Sequence, residues 1–232
     1  MHYVMSDIHG MYDKYIEMLD KIKLKDEDTL FILGDVVDRG DKPVEILCDM
    51  MSRSNVYPLM GNHDLLALDV MRKLAVEITE NNYLTQIDEA LLNELSDWQF
   101  NGGGVTLSAF AKLPKDELSD ILDYMSEFSF YEVIDIKEST FILTHAGLGN
   151  FRKGKKISEY TPEELLISRP DPRIRYFDDE SVFIVSGHTP TTVISGKTEI
   201  FKENGNICID CGACSGGRLA CFCLETFEEF YT

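Results

Sequence analysis

The chain has 232 residues, of which 44% are hydrophobic and 27% are charged, and its formal net charge is −19. This length suits one large domain better than two small ones, and the composition is that of an ordinary soluble globular protein. The negative charge argues against nucleic acid as the main partner, because binding to a phosphate backbone requires a basic face.

Membrane and secretory segments are also not expected. No apolar run reaches the ~20 residues of a membrane span. The first five residues lack the basic region and the long apolar stretch of a signal peptide. We therefore predict a cytoplasmic protein with no membrane partner.

The first 64 residues alternate between apolar runs and helical patterns. Strands are predicted at residues 4–5, 29–33 and 56–60, and helices at 12–22 and 43–51. This alternation is typical of βαβ units with a buried, largely parallel sheet.

Residues 65 to about 128 are mostly helical in pattern and predict a cap over or beside the sheet. The predicted helices are residues 65–78, 88–98, 105–111 and 115–127. Glycines 102–104 interrupt them, and they either end a helix or let the backbone approach a ligand closely.

Strand patterns return in the C-terminal half, at residues 130–136, 140–143 and 181–185. A polar loop at 147–179 carries several Lys and Arg residues that could bind an anion. Residues 192–201, 206–210 and 218–224 then predict an antiparallel meander. We expect one α/β (α+β) domain over residues 1–232: a two-sheet β-sandwich built from βαβ units and flanked by helices.

Four of the five histidines lie in short polar motifs that follow predicted strands: His9 in residues 7–10, His63 in 61–64, His145 in 144–147 and His188 in 186–190. Residues 34–40 form a fifth such block. Strand ends meet at one edge of an α/β fold, so these side chains are expected to converge. An isolated histidine is usually structural, and His2 is interpreted in that way. Four histidines accompanied by Gly, Asp and Asn indicate a metal site.

Hydrolysis of a phosphate ester by two metals requires ions ~3.5–4 Å apart that share a ligand. Asp35, directly after the second predicted strand, suits the bridge, and Asp7 and His9 suit the first metal. Asn62, His145 and His188 could complete the second. Mixed oxygen and nitrogen donors suit two divalent ions, with Mn²⁺ favoured and Fe or Zn²⁺ as alternatives.

Three further residues suggest acid–base and anion chemistry. His63 follows Asn62, so it can lie beside the metals without binding them, as a general acid does. Asp38 would orient its ring, and Arg39 offers a planar fork for two phosphate oxygens.

The six cysteines leave alternatives open. Cys208, Cys211 and Cys214 have a spacing that invites a metal site. Cys208, Cys221 and Cys223 lie in apolar runs, where cysteine behaves as a small hydrophobe. We favour reduced structural thiols, with a redox-sensitive Cys211–Cys214 pair or a separate metal site as alternatives.

Residues 7–10, 34–40 and 61–64 resemble the three signatures of the phosphoprotein phosphatase (PPP) family of calcineurin-like metallophosphoesterases. His145 and residues 187–190 match its later metal histidines. The small size and residues 101–103 make the bacterial and phage-lambda-type branch the most similar. One departure is Asp64, where the protein phosphatases usually have Glu.

The resemblance implies a dinuclear site at the edge of a β-sandwich, at which a metal-bridging hydroxide attacks phosphorus in line. It carries Asp7, His9, Asp35, Asn62, His145 and His188 over as metal ligands, Asn62 and Arg39 as phosphate-binding residues, and His63 as the acid. A second phosphate-binding arginine is expected at Arg169, with Arg173 and Arg175 as alternatives.

The leading substrate from these motifs is phosphoserine or phosphothreonine in proteins, and a small phosphoester remains possible. The alternative is a dinucleoside polyphosphate of the diadenosine tetraphosphate type. Relatives of that kind usually follow the last histidine with an aromatic residue, whereas this chain has Thr189-Pro190. A non-catalytic scaffold is disfavoured because every site position is filled.

Overall fold

The computed structural model describes residues 1–76 and 88–232. The strands of these residues form two five-stranded sheets. They are β1 (His2–Met5), β2 (Thr29–Ile32), β3 (Val56–Pro58), β4 (Tyr131–Ile136), β5 (Ser139–Thr144), β6 (Val182–Ser186), β7 (Phe201–Glu203), β8 (Asn206–Cys208), β9 (Ala220–Cys223) and β10 (Glu229–Tyr231).

Helices flank both sheets. They are α1 (Tyr12–Ile22), α2 (Pro43–Met51), α3 (Asn62–Ala75), α4 (Glu89–Trp98), α5 (Gly104–Phe110), α6 (Lys115–Ser126), α7 (Pro162–Leu166) and α8 (Thr191–Ser195). None of the helices in the part of the chain that the structure describes is long and apolar enough to cross a membrane.

Parallel pairing at the centre of each sheet brings the predicted motifs to one edge. The first sheet has the order β10-β9-β1-β2-β3, in which β1, β2 and β3 are parallel. The second has the order β4-β5-β6-β8-β7, in which β5, β6 and β8 are parallel. The predicted two-sheet α/β architecture with flanking helices is therefore confirmed.

Successive side chains along a strand point to opposite faces of the sheet, so the apolar core is divided into layers. Val4 and Phe31 pack in the apolar layer between the sheets, with Phe141 and Val185 from the second sheet. Met5, the neighbour of Val4, belongs instead to the cluster between the first sheet and its helices. Full burial of a large apolar side chain contributes about 1.5–3 kcal/mol, so both layers anchor the strands that end at the site.

The predicted meander at residues 192–201, 206–210 and 218–224 is wrong in two respects. Residues 191–195 form the short helix α8, which follows Pro190 and ends at Gly196 with φ 75°. The Thr191 amide donates to the Asp210 carbonyl at 2.8 Å, which fixes this turn across the end of β8. Strand β9 pairs with β1 in the first sheet, so it does not continue the second.

Helix α3 begins at Asn62, three residues earlier than predicted, so Asn62 and His63 lie in its first turn. Its predicted end, at Ile78, lies outside the described residues. At the predicted glycine break, a wide π-type turn, Gln99–Gly103, joins α4 to α5, and Gly102 within it has a non-helical φ of 103°.

Asp64 ties the start of α3 to the loop after β2. Its side chain is fully buried and accepts the backbone amides of Asp35 (2.7 Å), Val36 (3.0 Å), Val37 (3.2 Å) and Gly61 (3.1 Å). The shorter acid at this position thus supports the loop that carries Asp35.

We predict that Asp64→Asn lowers the free energy of unfolding by about 2–4 kcal/mol, because an amide cannot accept all four bonds and leaves buried N–H groups unpaired. Urea unfolding measures the loss. The exposed Asp26→Asn is the control and should change stability by less than about 0.5 kcal/mol. Equal losses in the two variants would show that these contacts contribute nothing.

Candidate metal and phosphate site

The backbone at the strand ends is bent to aim polar side chains at one point. Asp7, His9, Asp35 and His188 adopt positive φ values of 52°, 46°, 54° and 61°. Such values are uncommon for residues other than glycine, and they cluster at functional sites, where surrounding contacts maintain them.

Asp35 is the centre of this arrangement. Its Oδ2 lies 3.4 Å from Nε2 of His9, and its Oδ1 lies 3.5 Å from Nε2 of His145. Two groups of possible metal donors share it: His9, Asp35 and His63, and Asp35, His145 and His188. Asp35 is therefore situated as a bridging ligand would be.

Backbone carbonyls orient the three predicted ligand histidines. The Nδ1 atoms of His9 and His145 contact the carbonyls of Val37 (2.9 Å) and Leu33 (2.7 Å), so Nε2 is the nitrogen of each ring that faces the site. The Nε2 atom of His188 contacts the Ile167 carbonyl at 3.2 Å, so this ring offers Nδ1. Hydrogen bonding at the far nitrogen is the usual way of fixing a metal-binding histidine.

The contact between Asn62 and His145 fits a cation. In the tautomer that metal ligation requires, with Nδ1–H donated to the Leu33 carbonyl, Nε2 of His145 carries a lone pair. This atom lies 3.0 Å from Oδ1 of Asn62, a second acceptor. Lone pairs that converge in this way are satisfied by a shared metal ion.

Asp7 lies beside the site but outside both donor groups of the described residues. Its Oδ2 accepts the His188 amide at 3.0 Å and the Ser6 hydroxyl. Its assignment as a ligand therefore stays a prediction.

Buried charge gives the second argument for cations. Burial raises the pKa of Asp7 and Asp35 to about 6, and that of Asp64 and Asp210 to about 7. Ionised carboxylates without enough compensating charge are unfavourable in such a site, and divalent cations would supply that charge.

Neutral histidines complement these acids. Burial, helped by the charge of Arg39, lowers the pKa of His9 well below its usual value. Burial, with His145 nearby, lowers the pKa of His188 to about 3. Both rings are therefore neutral at physiological pH, as metal ligation requires.

His63 differs from the ligand histidines. Its Nδ1 lies 2.7 Å from Oδ2 of the fully buried Asp38. Burial lowers the pKa of His63, but the hydrogen bond to Asp38 and the nearby Asp35 outweigh burial and raise it. A histidine whose charged form is stabilised in this way can act as an acid.

Arg39 spans the gap between these two kinds of histidine. Its Nη1 donates to Nε2 of His9 and its Nη2 to Nε2 of His63, both at 2.8 Å. Nη1 also lies 3.5 Å from Sγ of Cys214. The planar fork is thus at the mouth of the site.

Among the candidates for a second arginine, Arg169 lies beside His188. Its Nη1 donates to the His188 carbonyl (3.3 Å) and to the Thr189 hydroxyl (2.9 Å). Arg173 donates instead to the Ile194 carbonyl, and Arg175 to the Asp179 carbonyl at 3.5 Å. This geometry supports the choice of Arg169.

Three residues of this region escaped the sequence argument: Trp98, Thr106 and Asp210. Asp210 is buried, and the Asp7 carboxylate lies close enough to disfavour its ionisation. One signal could have revealed it: Asp210 directly follows an apolar run, much as Asp35 follows one after a single glycine.

The cysteines are mostly buried, and neither donor group of the described residues contains one. Cys208, Cys211, Cys221 and Cys223 are buried, and Cys214 is half-buried. Burial raises the pKa of Cys208 and of Cys211 to about 12, which keeps both thiols protonated. These features favour structural thiols.

We predict a pH-dependent effect of Asp210→Asn in metal-free protein. An unfolded aspartate titrates near pH ~3.9, whereas burial raises the pKa of Asp210 to about 7. The folded chain holds this proton more tightly than the unfolded chain does. The carboxyl of Asp210 therefore destabilises the folded state increasingly as the pH rises from the unfolded pKa to the folded pKa, and the effect is constant above the folded pKa. Asp210→Asn removes this effect, so its stability relative to wild type should be greater at pH 8 than at pH 5. The difference between the two pH values should be on the order of 2 kcal/mol. Urea unfolding in EDTA tests this, and a gain that is the same at both pH values would contradict it.

Comparisons with known proteins agree with this geometry. A family model described as calcineurin-like phosphoesterase matches residues 3–211. A symmetrical bis(5'-nucleosyl)-tetraphosphatase of Salmonella paratyphi A is 32% identical over 98 residues, which are 41% of this chain and 35% of that protein. The matched segment thus spans only about a third of the length of such curated relatives.

Solved structures show the same fold at low identity. A crystal structure assigned provisionally as a diadenosine tetraphosphatase has a TM-score of 0.65 and 17% identity, and the match covers 100% of this chain and 92% of that one. A protein serine/threonine phosphatase from Saccharomyces cerevisiae has a TM-score of 0.57 and 14% identity, with 95% and 71% covered. The family model covers most of the sequence, and the chain belongs to the calcineurin-like phosphoesterase family.

Proposed function

We propose that this metallophosphoesterase hydrolyses dinucleoside polyphosphates of the diadenosine tetraphosphate type, with phosphoserine and phosphothreonine in proteins as the second candidate. The observation that carries the hydrolytic part is the position of Asp35, whose two oxygens face two groups of metal donors. Two divalent cations there would neutralise phosphate charge and activate the attacking water. The proposed ligands are Asp7, His9, Asp35, Asn62, His145 and His188.

Arg39 would bind phosphate oxygens next to these ligands. The Nε2 lone pair of His9, which accepts from Arg39 at 2.8 Å, cannot serve a metal ion at the same time. Ligation by His9 would therefore free the guanidinium for two phosphate oxygens, a geometry that its fork matches. Arg169 would supply a second cationic donor from the side of His188.

His63 would donate the proton that the leaving group needs. Its Nδ1 faces Asp38, so Nε2 is the atom that points toward the mouth of the site. In the structure Nε2 accepts from Arg39, so it would carry a proton only once the guanidinium has turned to the phosphate. As the water oxygen bonds to phosphorus and the bond to the leaving oxygen breaks, that proton would pass to the leaving oxygen. Before this transfer, Asp38 would stabilise the charged form of the His63 ring.

We order the two candidate substrates by similarity to the named relatives. The sequence motifs alone favour phosphoproteins, because Thr189-Pro190 follows His188 where an aromatic residue is usual in dinucleotide hydrolases. The curated relatives named above are tetraphosphatases at 32% identity, whereas the likeness to a serine/threonine phosphatase is one of fold at 14% identity. We weigh the first more heavily.

The substrate proposal is tested by comparing kcat/KM for diadenosine tetraphosphate and for a phosphothreonine peptide in the presence of Mn²⁺. We expect the dinucleotide to be preferred by at least about tenfold, a difference of ~1.4 kcal/mol in transition-state binding. Symmetrical cleavage adds one water and yields two molecules of ADP, which chromatography distinguishes from AMP and ATP.

Two variants connect the measured activity to this site. Asp35→Asn should abolish turnover of both substrates, whereas the exposed Asp26→Asn should retain it. Preference for the phosphopeptide would select the second candidate. Turnover of neither substrate, or full activity in Asp35→Asn, would overturn the proposal.

A further inference from the structure

We propose that Trp98 and Thr106 are positioning residues that orient Asp38, and through it His63, for the leaving-group step. This inference rests on the acid role proposed for His63. It assigns a task to residues 98–106, the segment that runs from the last residue of α4 into the first turn of α5 and that contains none of the proposed metal or phosphate ligands.

Donors from that segment surround the Asp38 carboxylate. The Trp98 indole Nε1 lies 3.0 Å from both Oδ1 and Oδ2, and the Thr106 hydroxyl donates to Oδ1 at 2.7 Å. His63 contacts Oδ2 at 2.7 Å. Asp38, Trp98 and Thr106 are fully buried, so these bonds stand in place of water. They hold the carboxylate with Oδ2 toward the imidazole.

The same segment holds the backbone of the residues that it orients. Asp38 and Arg39 adopt φ values of 71° and 68°, which side-chain-bearing residues rarely adopt. The Asp38 amide donates to the Thr106 hydroxyl at 2.9 Å, and the Arg39 amide donates to the Gly102 carbonyl at 3.1 Å. Both strained residues thus bond to one short stretch of chain, as a maintained strained conformation requires.

Gly102 and Gly103 leave the space that the side chains of Arg39 and Trp98 occupy. A Cβ atom on Gly103 would lie 2.2 Å from Nε1 of Trp98, and one on Gly102, where φ is 103°, would lie 2.8 Å from Cγ of Arg39. Glycine at both positions lets the indole reach Asp38 and lets the turn pack against Arg39. The conformational freedom of this turn serves contacts within the protein.

A general acid is needed most when the leaving oxygen is a poor leaving group, so the test varies the leaving group. The substrates are aryl phosphates with graded phenol acidity, assayed with Mn²⁺. For Trp98→Phe and Thr106→Val we expect kcat to fall by about 10-fold or more for the least acidic phenol and by less than about threefold for the most acidic, with KM little changed. Thr106→Ser, which keeps the hydroxyl, should restore most of the rate.

Two variants provide the references. His63→Asn should show the steepest dependence on the leaving group. Tyr124→Phe, which removes a buried hydroxyl of α6 that does not contact Asp38, should behave like wild type. The rate of His63→Asn could depend steeply on the leaving group while both positioning variants lose rate equally for all phenols, or lose none. That result would overturn this inference and leave the acid role of His63 standing. If His63→Asn is not steep, the acid role fails and the inference fails with it.

A spectroscopic readout makes the test independent of turnover, and it also serves if Thr106→Val does not fold. Trp98 is the only tryptophan of the chain, so ¹⁵N-labelled protein with Mg²⁺ gives one indole N–H resonance. A hydrogen bond to a carboxylate should shift this resonance downfield, and Asp38→Asn should move it upfield, whereas Tyr124→Phe should leave it in place. An indole resonance unchanged by Asp38→Asn would overturn the proposed contact.

Discussion

The buried carboxylate of Asp35 is the constraint on which the rest of the site depends. It lies at the end of a strand in the first sheet, yet its oxygens face histidines from both sheets. Such a group is stable as an anion only if positive charge lies beside it. The sandwich therefore brings together donors from distant parts of the chain around one charge that requires cations.

Three sets of contacts hold Asp35 and the residues around it in place. Asp64 holds the loop after β2 through four backbone amides. Backbone carbonyls fix the tautomers of the surrounding histidines, and residues 98–106 hold Asp38 and Arg39 in strained conformations. The geometry at this edge thus depends on groups that are not themselves predicted metal ligands.

The sequence revealed those parts of the site whose signals are local. His9, Asp35, His145 and His188 each follow an apolar run within a short motif, so the strand ends predicted their convergence. Trp98 and Thr106 could not be found in this way, because neither follows a strand: Trp98 is the last residue of α4, and Thr106 lies within α5. Helix α8 was mistaken for a strand because five residues carry too little periodicity to separate the two patterns.

The most direct test of the account counts bound metal ions. Chelator-treated protein is titrated with Mn²⁺, and the unbound ion is measured by its electron paramagnetic resonance signal. The titration should give two bound ions per chain. Asp35→Asn should lose tight binding of both ions, because the two donor groups share this residue, while Asp26→Asn should bind two. A stoichiometry of one or none in the wild type, or two tight ions in Asp35→Asn, would contradict the role assigned to Asp35.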